Sequence, residues 1–373
     1  MKSITTVLII ILCFIDHPAA GPPNRIWGRM EYQFQNRQNI FAEQTATGGT
    51  NQKQDHRFNG YAHVDWTGNS WLNIHSRFYS YWNRTQDNPF TFTILETYWD
   101  HAFQDQFLVR IGKQRVAWGS GYAWNPTDML EPAKNPFRPQ EERKGISAIK
   151  SDHLMGDYSL TLLAFYNNIF KRIELAVKLG VLLSTHELSL CIHQVPWRTP
   201  SIGFDYSGFI SRFEFHGELA LLNSDNLAYQ PVSPEPADRN SYVLKALIGT
   251  MYTIKADGML VLEYYRNRSQ ELYTSYFPAK PDFQNSSIMY LWRDTLFLMV
   301  MKREVLGIID VQGMLFRHLN SAYFLVVPKI IITPLQTFSV EFMYHGLSEF
   351  NGRLSVRSDR SSEMIQVKAS AFF

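Results

Sequence analysis

Cysteine is nearly absent: the 373-residue chain holds two, Cys13 and Cys191. Cys13 lies in an apolar N-terminal run expected to be removed, so Cys191 is left alone and no internal disulfide is available. Charge is also scarce. Asp, Glu, Lys and Arg make up 19% of residues, against about 25% in ordinary soluble domains. The net charge of +2 gives no global argument for a nucleic-acid-binding surface. Beyond the N-terminal run, no stretch offers the roughly 18 consecutive apolar residues of a transmembrane helix. No H-E-x-x-H, G-x-S-x-G, phosphate-binding loop or paired-cysteine pattern occurs. Nothing pairs a nucleophile with a base by spacing, so no catalytic residue, metal or cofactor is expected.

What the chain does have is aromatic residues, 14% of the total, and a leader-like start. Lys2, the apolar run Val7–Ile15 and the small residues Pro18-Ala19-Ala20 are the parts of a cleaved secretory signal peptide, too short to span a bilayer. Residues 1–20 are therefore expected to be a signal and residues 21–373 one exported domain.

Period-two alternation runs through that domain. In Gly28–Gln35, Met30, Tyr32 and Phe34 alternate with Arg29, Glu31, Gln33 and Gln35. In Arg172–Val181, Ile173, Leu175, Val177, Leu179 and Val181 oppose Arg172, Glu174, Ala176, Lys178 and Gly180. In Arg212–Leu221, Phe213, Phe215, Leu219 and Leu221 oppose Arg212, Glu214, His216 and Glu218. Such alternation marks strands with one apolar and one polar face. A soluble sandwich buries the apolar faces against each other, whereas a membrane barrel turns them to lipid and lines its lumen with the polar ones.

Loop lengths favour the barrel. Counting strands from Ile26 gives about eighteen (16–18). The long gaps, at Asn39–His56, Val116–Lys144, Asn223–Asn240, Ser269–Ser287 and Leu347–Arg360, all follow odd-numbered strands. Connections after even strands are short, as at Ser184-Thr185-His186 and Lys255-Ala256-Asp257-Gly258. Outer-membrane barrels have long outside loops and short periplasmic turns, which requires this parity. The last strand alternates Ile365, Val367, Ala369, Ala371 and Phe373 with Gln366, Lys368 and Ser370. It stops on an aromatic, as in the C-terminal signal read by the bacterial barrel-assembly machinery. The expected fold is an all-β, single, antiparallel up-and-down transmembrane β-barrel.

One loop is unusually furnished. The stretch from Glu96 to Pro132 contains Gly112, Lys113, Gln114, Trp118, Gly119, Asn125, Pro126 and Asp128 in a G-K-Q-x-x-x-W-G…N-P-x-D pattern. A patch of Glu141, Glu142 and Arg143 follows. This pattern resembles a porin-like outer-membrane family related to the alginate-export proteins, and it covers roughly fifty residues. The resemblance implies a channel in the outer membrane of a Gram-negative bacterium. Its surroundings would be outer-membrane lipid and lipopolysaccharide, and Phe373 would engage the assembly machinery.

A loop this long is rarely structureless, because Trp118, Tyr122, Trp124 and Phe137 would lie exposed. We expect residues 116–144 to fold into the lumen and narrow it, the alternative being an outside loop packed on its own aromatics. The candidate constriction comprises Arg110, Gln114, Trp118, Asn125, Asp128, Lys134, Arg138, Glu142 and Arg143, with Glu174, Glu214, His216 and Glu218 on the lumen wall. The expected function is passive diffusion or export of polar solutes or glycan chains. The alternative is a plugged barrel whose outside loops bind polysaccharide or a protein partner.

Overall fold

The computed structural model describes residues 25–39, 51–69, 72–83, 90–103, 106–130, 134–137, 143–168, 171–223, 242–255, 257–268, 293–320, 323–349 and 362–373. Eighteen strands and no helix occur among them. They are β1 (Arg25–Asn39), β2 (Asn51–Asn69), β3 (Leu72–Asn83), β4 (Phe90–Phe103), β5 (Phe107–Gln114) and β6 (Ile146–Met155). The series continues with β7 (Tyr158–Asn167), β8 (Arg172–Leu183), β9 (His186–Gln194), β10 (Ser201–Ile210), β11 (Phe213–Asn223) and β12 (Tyr242–Ile254). It closes with β13 (Gly258–Asn267), β14 (Asp294–Val305), β15 (Ile309–His318), β16 (Tyr323–Leu335), β17 (Phe338–Glu349) and β18 (Ser362–Phe372).

Every strand pairs antiparallel with its successor, and β18 pairs with β1, from Arg29↔Phe372 to Asn39↔Ser362. The sheet is thus a closed up-and-down barrel without a free edge. Gly28 and Phe373 exchange backbone hydrogen bonds of 2.9 and 3.0 Å, so the C-terminal residue helps to seal the seam.

The alternation read from the sequence sets the two faces. On β8, Ile173, Leu175 and Leu179 are 62, 53 and 49% exposed, while Glu174 and Ala176 are 1 and 2% exposed. The apolar side chains face outward, as in a barrel surrounded by lipid. One bulge adjusts this frame. Arg77 pairs with Glu96 and Phe78 with Ile94, leaving Leu95 as an extra residue in β4. Leu95 and Glu96 are both buried as a result.

Connection lengths follow the expected parity. The gaps after β1, β5, β11, β13 and β17 are long, and those after even strands are short. The sequence placed the first gap at Asn39–His56, but β2 already begins at Asn51, because Asn51–Asp55 pairs with the upper part of β1. The short turns are tight. In the two-residue turns Gly156-Asp157, Ser184-Thr185 and Ser211-Arg212, the first residue has a positive φ of 63°, 60° and 58°, which matches hairpin twist.

The interior departs from a uniformly polar lumen. Strands β13 to β16 carry apolar residues on both faces: Leu296, Leu298 and Val300 alternate with Phe297 and Met299. Phe297, Met299, Met314, Phe316 and Val327 are almost fully buried inside. They need a partner within the barrel, which the β5–β6 connection supplies. The expected signal peptide, residues 1–20, lies outside the described residues, as do most of the long-loop segments.

Candidate functional site

The β5–β6 connection crosses the barrel. It leaves the wall at Gln114, whose Nε2 donates to the Ala148 carbonyl at 3.1 Å, and it returns at Gly145, whose N–H donates to Leu95 O at 3.0 Å. Between these points its side chains reach β11, β13, β15 and β17. Trp124 stacks on Tyr265 with ring centroids 5.0 Å apart. Phe137 meets Phe316 and His345 edge-on at 5.3 and 5.0 Å. Val116, Trp118, Met129 and Leu130 form a second buried cluster with residues of β6 to β12. A buried aromatic side chain covers about 150–250 Å², so Trp124 alone contributes roughly 4–6 kcal/mol before ordering costs.

Two carboxylates on the opposite wall hold the loop backbone. Glu218 of β11 accepts hydrogen bonds at Oε1 from the Ser120 and Gly121 amides at 2.8 and 2.7 Å. Its Oε2 accepts from the Thr127 amide at 2.9 Å and the Thr127 hydroxyl at 2.8 Å. Glu263 of β13 accepts from the Tyr122 and Ala123 amides, the latter at 2.9 Å. His216 Nε2 lies 2.8 Å from Glu263 Oε1. A carboxylate satisfied by backbone N–H groups is a strong, charge-assisted arrangement in a low-dielectric interior.

The sequence between Trp118 and Tyr122 suits this clamp. Gly119 has φ +89°, and a Cβ there would sit 2.6 Å from Glu218 Oε2. A Cβ on Gly121 would come within 2.0 Å of the Trp124 carbonyl. Asn125 Nδ2 ties the turn by donating to Trp118 O at 2.8 Å.

The predicted site residues separate into three groups. Gln114, at the end of β5, and Trp118, in the loop itself, are buried, and Asn125 braces the loop, so none of the three presents a free polar group to open space. Asp128 and Arg143 form an internal ion pair of 2.8 Å with little exposure. Burial pushes the Asp128 carboxyl up, opposed by the Arg143 guanidinium. Arg138 and Glu142 lie outside the described residues.

On the wall, Glu218 serves the loop. Glu174 is enclosed by Arg172 Nε at 2.7 Å, His193 Nε2 at 2.8 Å and Asn167 Nδ2 at 2.9 Å. Arg110 stands over the Tyr98 ring at 4.2 Å and pairs with Asp100 at 3.2 Å. Glu214, His216 and Lys134 share the lining of one small cavity with Ser120, Gly121, Tyr122 and Met251. Lys134 Nζ donates to Gly121 O at 2.9 Å and to Asn125 Oδ1 at 3.3 Å. Burial lowers its pKa, an effect opposed by Glu263 and Glu218 and reinforced by Arg143.

Glu263 was not singled out from the sequence. Its signal was an acidic residue on the inward register of an otherwise apolar strand face, between Val261 and Tyr265. A larger cavity of about 580 Å³ was missed as well. It lies toward the short-turn end, between Tyr122 and a wall carrying Arg29, Glu31, Glu341 and Lys368. Lys368 lies 3.3 Å from Glu31 and 3.7 Å from Glu341, and Arg29 lies 2.9 Å from Glu31. These four charges are therefore paired with one another, and Arg303, Glu304, Asp310 and Lys329 add further charge of both signs to the same lining.

Comparison with solved structures supports the architecture. The chain is similar to Pseudomonas aeruginosa OccK5 (OpdH), with a TM-score of 0.59 and 7% identity over 94% of this chain and 98% of that one. It is also similar to Acinetobacter baumannii OccAB3, with a TM-score of 0.55 and 8% identity over 94% and 99% of the two chains. A Rhodopseudomonas blastica porin variant gives a TM-score of 0.50 and 9% identity over 94% and 100%. The fold is that of the bacterial porins. No family model matches the chain, and no curated protein matches it.

Proposed function

We propose that the chain is an outer-membrane channel for small polar solutes, with residues 115–145 as its constriction. The observation that carries this reading is the loop drawn across the barrel and fixed by Glu218 and Glu263 on the far wall. A loop held this way sets the width of the path, and rings of charge around a narrow path set selectivity. The vestibule lining carries four basic and four acidic side chains, a balance that suits polar solutes without strong net charge. The outward apolar belt suits lipid, and the fold shared with porins agrees with a Gram-negative outer membrane. Export by a cleaved leader, contact with lipopolysaccharide and assembly through Phe373 belong to the same proposal.

Purified protein in a planar bilayer tests it: stepwise conductance in potassium chloride supports a channel, and insertion without conductance refutes it. The two apolar clusters around the loop favour a second reading, a plugged barrel whose outside loops bind polysaccharide or a protein partner. Glycan export, the narrower reading suggested by the Gly112–Asp128 motif, requires passage of oligosaccharide and is tested by efflux from loaded liposomes.

A further inference from the structure

Lys134 and Glu214 carry opposite charges, line the same cavity and do not pair with each other. The cavity measures about 160 Å³ and is closed on one side by Tyr122 and Met251. Lys134 has three N–H donors, of which Gly121 O and Asn125 Oδ1 take two. The Glu214 carboxylate has no hydrogen-bond or ion-pair partner among the described residues. His216, which also lines the cavity, is held at Nε2 by Glu263 Oε1 at 2.8 Å.

We propose that this cavity is a binding subsite for a small zwitterion, its carboxylate on Lys134 and its ammonium on Glu214. The inference rests on the channel reading and names a solute class for it. An ordinary anion meets Glu214, and an ordinary cation meets Lys134. A molecule with an ammonium and a carboxylate on one carbon satisfies both. The cavity is open on its remaining side and has room for a molecule the size of glycine or alanine. Met251 supplies an apolar wall suited to a hydrogen or methyl substituent.

Equilibrium dialysis of radiolabelled glycine against the purified full-length protein tests the subsite, with methylamine, acetate and glycerol as competitors. Saturable glycine binding is expected, with methylamine and acetate each at least about tenfold weaker, since a hydrogen bond to a charged group accounts for that factor. Lys134→Gln and Glu214→Gln should each weaken glycine by about tenfold. Should either variant fail to give a heat-modifiable barrel, Met251→Trp fills the cavity from a third side and should abolish binding with both charges kept. Glycine binding no tighter than glycerol, or unchanged in these variants, overturns the subsite. Conductance in potassium chloride on the same preparation separates the two readings. Conductance without glycine preference removes the subsite and leaves the channel; glycine binding without conductance does the reverse.

Discussion

Replacing Glu218 by Gln should loosen the loop without opening the barrel. The carboxylate accepts two amides at Oε1 and an amide plus a hydroxyl at Oε2. A carboxamide has one oxygen and one NH₂, so NH₂ toward Ser120 and Gly121 faces two amide donors, and NH₂ toward Thr127 faces one amide beside a hydroxyl that can turn to accept. Hydrogen bonds to charged groups contribute about 1.5–3 kcal/mol each, and an unmatched buried donor costs a similar amount. Allowing for relaxation, the docked loop should lose about 3 kcal/mol, a shift of roughly a hundredfold in the docked-to-undocked ratio. The strand ladder contains none of these bonds, so heat-modifiable gel mobility should stay normal. Single-channel recording should show higher mean conductance and added current noise, and hydrogen exchange should show faster exchange at Ser120, Gly121 and Thr127. Unchanged conductance with unchanged protection of these amides would refute the clamp.

Leu175→Arg places a charge on the lipid face of β8 and should lower barrel stability by about 2–4 kcal/mol in lipid, read by urea-induced unfolding, whereas Leu175→Val should be nearly neutral. Phe373→Ser should reduce assembled protein, read as the loss of heat-modifiable species, because it removes the ring that packs over Gly28 at the closing seam while leaving the backbone bonds in place. Ser211 has φ 58° in a two-residue turn, so Ser211→Gly should stabilise the barrel by up to about 1 kcal/mol; a lower urea midpoint would contradict the turn geometry. The pKa of Lys134 is lowered by burial, so its charge is lost at a lower pH than the free-lysine value of 10.5. Cation preference in reversal-potential measurements should therefore rise with pH before ordinary lysines titrate, and Lys134→Gln should remove that rise.

The barrel was legible because its two physical requirements leave local marks. A face toward lipid and a face toward the lumen produce period-two alternation, and unequal ends produce alternating loop lengths. Both are visible in short windows such as Arg172–Val181. The bulge at Leu95 was not, because an extra residue shifts the frame without changing composition. The apolar inner face of β13 to β16 was also illegible as such. Phe297, Met299 and Phe316 make sense only against Trp124 and Phe137, which stand far away in sequence. The site was half readable for the same reason. Lys134, Glu214 and His216 could be named as polar groups on the expected surfaces, but their shared cavity depends on how the loop crosses the barrel. Glu174 and the Asp128–Arg143 pair looked like free pore charges until their partners were in place. A Glu174→Arg exchange is consequently disruptive, since three donors converge on that carboxylate.

The central claim is that residues 115–145 lie in the path of conduction. Tyr122 borders both cavities, and Cys191 is buried, so a Tyr122→Cys variant offers one accessible thiol among the described residues. Single-channel recording during addition of a charged, water-soluble methanethiosulfonate tests the claim directly. Discrete drops in current that persist on washout, are reversed by reductant and are absent in the parent are predicted. Complete labelling by mass with no change in current would place the loop outside the path and contradict the account.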